Sequence, residues 1–171
     1  RKIRNFLQIS NKIFIIYSSK SENRLGYFKT ELIEAISPKY FNDKKKTTAL
    51  LAFSSILKLL LPESQPYKKL YASLDNLLKN FNKVDWIIYY IYWELTLLKE
   101  LGFDPYLDQF FDLVSKESDQ NTIEIDNLKY QVPNFLLSKQ KTEHSNPIEI
   151  KIALSFTRNI LINKFFLPNN L

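Results

Sequence analysis

Between Trp86 and Trp93 the chain reads Trp-Ile-Ile-Tyr-Tyr-Ile-Tyr-Trp, with no charged residue anywhere in the run. A segment this apolar has to be buried, and few arrangements can bury it. It is far shorter than the ~20 residues that span a bilayer, and Asp85 and Glu94 bracket it. A helix that is apolar nearly all round belongs at the centre of a bundle. The pattern predicts that helix from about Val84 to Leu101, with Gly102 as its left-handed stop. Glu94 is then a carboxylate inside a buried helix, and such a group must be paired or hydrogen-bonded. Arg158, Lys99 and tyrosine hydroxyls are the candidate partners.

Helical spacing continues on both sides. Asp43–Leu61 opens with Lys44, Lys45 and Lys46, then places Leu50, Leu51, Ser54, Leu57, Leu60 and Leu61 on one side, and Pro62 stops it. Pro66 suits the first turn of a second helix, running to about Asn80 with a stripe of Leu70, Leu74, Leu77 and Leu78. A short amphipathic helix is expected over Asp104–Val114. Thr122–Ile125 and Leu128–Gln131 flank Asp126–Asn127, the makings of a small hairpin. The last helix starts with Asn146 as cap, Pro147 at the first position and Glu149 three residues after the cap, and ends before Pro168 at about Phe166.

The beginning of the chain is different. Lys12–Ser18 is dense in Ile, Phe and Tyr. In Leu25–Ala35, Phe28, Thr30 and Leu32 alternate with Tyr27, Lys29, Glu31 and Ile33, a period of two. These two strands would pair as an antiparallel hairpin, and two strands alone make no stable sheet in water. The fold class is therefore mainly α: a helical bundle of about four to five helices preceded by a two-strand element.

Composition narrows the chemistry. The 171 residues leave room for one full domain and part of a second. Only two glycines are present, which excludes a glycine-rich phosphate loop. Cysteine is absent, so there is no disulfide, thiol nucleophile or thiolate metal site. His144 is the one histidine and stands in a polar stretch, which removes any histidine pair for zinc. Asp104, Asp108 and Asp112 share a helix face, but acids near a helix amino end are ordinarily solvated there. Glu149-Ile150-Lys151 has the Glu-x-Lys spacing of metal-dependent nucleases, yet it opens a capped helix instead of lying on a strand. No metal, no cofactor and no catalysis are expected. Methionine is also absent, so Arg1 is not an initiator position and the chain reads as a fragment with sequence upstream.

The net charge of +6 and pI near 9.3 fit an anionic partner, nucleic acid foremost, with a solvated lysine surface as the plain alternative. Arg1, Lys2, Arg4, Lys12, Lys20 and Arg24 gather on the strand segment, interleaved with Phe6, Phe14 and Tyr17. Cations beside aromatic faces are what a single strand of nucleic acid requires, neutralising phosphates and stacking bases. In the last helix Lys151, Ser155, Arg158 and Asn159 line a polar face beside Ile148, Ile152, Phe156 and Ile160. A groove of Lys151, Ile152, Phe156 and Arg158 would suit an acidic peptide with an apolar anchor.

Taken in order, these elements resemble the RecO DNA-repair family. The resemblance rests on Leu25-Gly26 in a strand, then Leu61-Pro62-Glu63, Pro66 and Leu70-Tyr71. It continues through Trp93-Glu94-Leu95, Leu97-Leu98 and Leu101-Gly102-Phe103, with VPNFLL and SFTRNIL downstream. It covers the chain from Leu25 onward. Many relatives carry cysteines, some binding zinc, just after the Gly-aromatic pair, whereas Leu107–Phe110 has none; Tyr92 stands where relatives often have Arg. The resemblance implies that residues 1–35 are the last strands of an incomplete OB-like barrel and 36–171 the helical domain. It further implies a recombination mediator of the bacterial cytoplasm and nucleoid that binds and anneals single- and double-stranded DNA. Such a protein helps load recombinase onto strands coated by single-strand-binding protein. Its partners would be RecR and the acidic, Phe-ended tail of that coating protein, with no membrane. The alternative is a helical protein-interaction module without DNA binding.

Overall fold

A computed structural model of the chain describes residues 7–20, 25–105, 107, 121–137 and 146–170. They form two compact units, Arg1–Leu61 and Pro62–Leu171. The helix before Pro62 shares the first unit with the strands.

In the first unit β1 (Lys12–Ser18) pairs antiparallel with β2 (Tyr27–Glu34). The register sets Ile13, Ile15 and Tyr17 opposite Leu32, Thr30 and Phe28, so one face is mostly apolar, as the alternation predicts. The other face is mixed, with Phe14 opposite Glu31 and Ile16 opposite Lys29. The Tyr17 and Phe28 rings meet at 5.3 Å. Tyr17 also lies across Gly26, where any Cβ would run into its ring. Neither face is buried; Phe28, for instance, is 66% exposed.

A 3-10 turn over Ser37–Tyr40 follows. The Asn11 side chain ties it to the start of β1, accepting from the Ile36 and Ser37 amides at 2.9 and 3.2 Å. Helix α1 (Lys44–Leu60) is capped by Asp43, whose carboxylate accepts from the Lys46 amide at 3.1 Å. It ends at Leu61, extended because Pro62 disfavours helical backbone in the residue before it. Its buried stripe is Ala49, Leu50, Phe53 and Ile56, and Leu51 is left exposed. The leucine-based stripe is thus rotated from the true one. The side chain of Phe53 carries more apolar surface than any leucine, and a singly exposed leucine is common.

Among the described residues the second unit holds four α-helices, one of them a single turn, and a hairpin. Helix α2 (Lys68–Lys79) begins two residues later than Pro66 suggests, because Tyr67 is its non-helical cap at φ −107°, ψ 62°. It buries Leu70 and Leu77, with Leu74 and Leu78 at the margin. Helix α3 (Trp86–Glu100) is the central helix, burying Tyr90, Ile91, Trp93, Glu94, Leu95, Leu97 and Leu98. Its end is a Schellman turn: Phe103 donates to the Leu98 carbonyl at 2.9 Å and Gly102 to Lys99 at 3.0 Å, with Gly102 at φ +88°.

Strands β3 (Thr122–Ile125) and β4 (Leu128–Gln131) form the expected hairpin. Asp126 and Asn127 adopt φ of 49° and 63°, the left-handed pair that a two-residue turn of this kind demands. After the short α4 (Asn134–Leu137) comes α5 (Pro147–Leu161), where Asn146 caps the Ile148 amide at 3.0 Å and Pro147 takes the first position. Beyond Leu161 the chain widens into a π-helical turn, Ile162–Phe166. From this turn Asn163 donates to the Tyr130 hydroxyl at 3.0 Å, and Lys164 pairs with Asp126 of the hairpin turn. The helix expected over Asp104–Val114 lies mostly outside the described residues, as do Asp108, Asp112 and His144.

The mainly helical class with its two-strand element holds. No helix among the described residues is long and apolar enough to cross a membrane. Gly102 offers a clean test of the α3 stop, since a Cβ there meets nothing within 4 Å and only the backbone conformation is at issue. Gly102→Ala should lower unfolding stability by about 1 kcal/mol and Gly102→Asn by less, read from urea midpoints.

Candidate functional site

Glu94 sits at the middle of α3 with no exposed surface. A bare carboxylate there would be untenable. Two consecutive residues of α5 satisfy it: the Thr157 hydroxyl donates to Oε2, and Arg158 Nε donates to Oε1 at 2.5 Å. The same guanidinium donates through Nη2 to the Tyr90 hydroxyl at 2.8 Å and stacks 5.6 Å from the Tyr90 ring centre. One arginine therefore serves a carboxylate, a phenol and an aromatic face together, which its planar fork permits. The side chain is still 43% exposed.

The electrostatics follow from this geometry. Burial pushes the Glu94 carboxyl above its usual 4.5, against the opposing pull of Arg158 and the hydroxyl of Thr157. Burial likewise raises the Tyr90 phenol, so it stays protonated as a hydrogen-bonding group. Of the three kinds of partner expected for Glu94, Arg158 and a tyrosine enter the cluster. Lys99 does not: five residues on, it points away and pairs with Asp104 at 3.2 Å. Sequence reasoning misses Thr157, although a hydroxyl within the buried stripe Ala153, Phe156, Ile160 and Leu161 is a readable sign of a polar partner opposite.

The candidate peptide-groove residues lie along α5. Lys151 is exposed and Ile152 half-buried. Phe156 is buried and meets the Tyr130 ring edge-on at 6.1 Å, so it belongs to the wall behind the helix surface. Ile148, expected to begin the apolar stripe, is 66% exposed, and the stripe runs through Ala153 and Thr157 instead. Thr157 accounts for the rotation, because its bond to Glu94 turns that side of α5 inward.

Of the candidate DNA-contacting cations, Arg1, Lys2, Arg4 and Arg24 lie outside the described residues. Lys12 opens β1 half-buried, and Lys20 is exposed just past its end. The strands add two features that the basic residues alone do not reveal. Lys29 is exposed on the mixed face, and Phe14, Tyr17, Tyr27 and Phe28 all present their rings to solvent. Among the described residues no group of three or more His, Cys, Asp or Glu side chains is arranged to hold a metal ion.

Residues 42–161 match the family model for the recombination protein O C terminal. The chain belongs to the RecO family. It is 40% identical over 98 residues to the DNA repair protein RecO of Wolbachia sp. subsp. Drosophila simulans (strain wRi), covering 56% of this chain and 41% of that one. It is 36% identical over 105 residues to the RecO of Ehrlichia chaffeensis, covering 60% and 43% respectively. The match to the RecO of Ruegeria sp. is 30% over 104 residues, covering 60% and 43%. The chain thus spans about two-fifths of the length of these relatives. No solved structure matches it.

Two outcomes test the cluster. Arg158→Ala strands a buried carboxylate and should cost about 3 kcal/mol, the low end for a broken buried pair because water reaches the half-exposed guanidinium. A thermal melt within a degree of the parent would refute this. The second concerns pH. Glu94 holds its proton more tightly folded than unfolded, so its contribution is complete below the usual 4.5 and is lost as pH rises through the raised folded value. Glu94→Gln should flatten that part of the stability–pH curve, measured by denaturation from pH 4 upward.

Proposed function

We propose that this chain serves recombinational DNA repair as a non-catalytic mediator, and the observation that carries the proposal is the family match over residues 42–161. In this role it binds single- and double-stranded DNA, anneals strands and helps load recombinase onto strands coated by single-strand-binding protein. It makes and breaks no covalent bond. RecR and the coating protein's tail are its partners, in the bacterial cytoplasm at the nucleoid. Residues 1–35 act as the last strands of an OB-like barrel and 36–171 as the helical domain.

DNA contact falls to the strand segment, through Arg1, Lys2, Arg4, Lys12, Lys20 and Arg24. The exposed rings of Tyr17, Tyr27 and Phe28 support this reading, since bases stack on such faces. The tail peptide falls to α5. Lys151 and the exposed part of Arg158 would take its carboxylates, and Ile152 above the buried Phe156 would take its phenylalanine.

The exposed, half-apolar first turns of α5 favour the second reading, a protein-docking module without DNA binding. Salt separates the two, because phosphate contacts release counterions and peptide docking of this kind does so far less. The expected result is weak binding of a labelled oligothymidylate that strengthens as salt falls. Replacing Arg1, Arg4, Lys12 and Arg24 by Ala should weaken it for all sequences alike and reduce the salt slope by roughly 0.7 for each phosphate no longer neutralised. Binding absent even at low salt would leave the docking module. In the same preparation Lys151→Ala should weaken a tail peptide about five-fold without moving the melting temperature, the scale of one charge-assisted bond.

A further inference from the structure

The outer side of α2 carries lysines on the protein surface. Helical spacing puts Lys68, Tyr71 and Lys79 on the side opposite the buried Leu70 and Leu77, with Lys69 at its margin. This face is solvent-facing in the folded chain: Lys68 and Lys69 are exposed, and Tyr71 is 61% exposed. The Tyr71 ring thus offers a flat apolar face close to cations. The one acid on the helix, Asp75, is already neutralised by Lys79 at 2.6 Å. Lys68, Lys69 and Lys83 enter no ion pair among the described residues. Lys83, four residues past the end of α2, is exposed and donates to the Tyr89 hydroxyl at 3.2 Å, lying 5.4 Å from the Tyr89 ring centre.

We infer that the outer face of α2 is a second contact for single-stranded nucleic acid, with Lys68, Lys69 and Lys83 on phosphates and Tyr71 stacking on a base. The inference rests on the DNA-binding role proposed above and extends it from the strands to the helical unit. Single strands fit better than duplex, because a ring standing out among lysines can stack only on a base that is not already paired and stacked. They also fit better than an acidic peptide, which would use the lysines and leave the ring idle. The geometry makes the two components separable. The lysines set the salt dependence, and the ring sets a salt-independent part of the affinity.

The test uses the full chain and a labelled oligothymidylate, read by fluorescence anisotropy across a salt series. Lys68→Ala/Lys69→Ala/Lys83→Ala should weaken binding at least ten-fold at low salt and lower the salt slope by about 2, at roughly 0.7 per phosphate. Tyr71→Ala should weaken binding roughly ten-fold with the slope unchanged, and Tyr71→Phe should bind like the parent because the stacking ring remains. Asp75→Asn frees Lys79 and should tighten binding. All these side chains are on the surface or its margin, so melting temperatures should hold and confirm intact folds. If the α2 variants bind like the parent while Lys12→Ala/Lys20→Ala loses affinity, the DNA role stands and the α2 face is overturned. Should the parent fail to bind at any salt, both fall together. If polyglutamate displaces the oligonucleotide mole for mole and Tyr71→Ala changes nothing, the face is a generic anion or peptide surface, and the inference is wrong.

Discussion

The ionisable group buried in α3 is the constraint from which the helical unit takes its arrangement. Glu94 has no solvent to fall back on, so whatever packs against that point of α3 must bring donors with it. Thr157 and Arg158 do so from adjacent positions on α5, one hydroxyl and one guanidinium on the two carboxylate oxygens. That requirement selects an axial register. A slip of four residues in one direction would offer Ala153 and Leu154, and in the other Leu161 and Ile162, none of which has a side-chain donor. Apolar packing alone would tolerate either slip, since both bring aliphatic residues to the interface. The carboxylate makes both of them costly.

The rest of the unit inherits this register. With Thr157 turned inward, Phe156 reaches Tyr130 of the second hairpin, and the turn beyond Leu161 brings Asn163 to the Tyr130 hydroxyl. Lys164, one residue on, meets both Asp126 in the hairpin turn and the Phe103 ring just after the α3 stop. The widened backbone at Ile162–Phe166 occurs where these tertiary contacts converge, as such turns often do. Nothing in the local sequence announces it. A helix running straight to Pro168 satisfies every propensity rule.

That contrast separates what is legible in the residues from what is not. Signals that act within a few residues are readable: Gly102 as a stop, Asp126–Asn127 as a turn, Asn146-Pro147 as a start, and the all-round apolarity of α3. Each is a backbone or capping requirement met by the residue itself. Which side of α1 or α5 turns inward is not readable in this way, because it depends on partners far away in the chain. Leucine count favours one side of α1, and Phe53 with Ile56 determines another. For the cluster, burial of Glu94 implies a donor and Arg158 is an evident one, yet Thr157 becomes visible only once α5 is docked. The strand segment shows the same division. Alternation specifies the pairing of β1 with β2, but it carries no information on what lies over their exposed rings.

The chain also sorts its cations by task. Arg158 is the only arginine among the described residues, and it stands where a charge is half-desolvated and must donate in two directions at once. Lysine could supply the charge there but not the planar fork that spans Glu94 and Tyr90. On the open surfaces of α2, and at Lys20, Lys29 and Lys151, the cations are lysines throughout. A solvated ammonium gives long-range attraction to polyanions with little directional demand, and salt screens it readily. An interface built this way captures a phosphate backbone without reading its sequence. The DNA-binding role proposed above would call for that combination. Arg158 ties α5 to α3, and the surface lysines stay solvated.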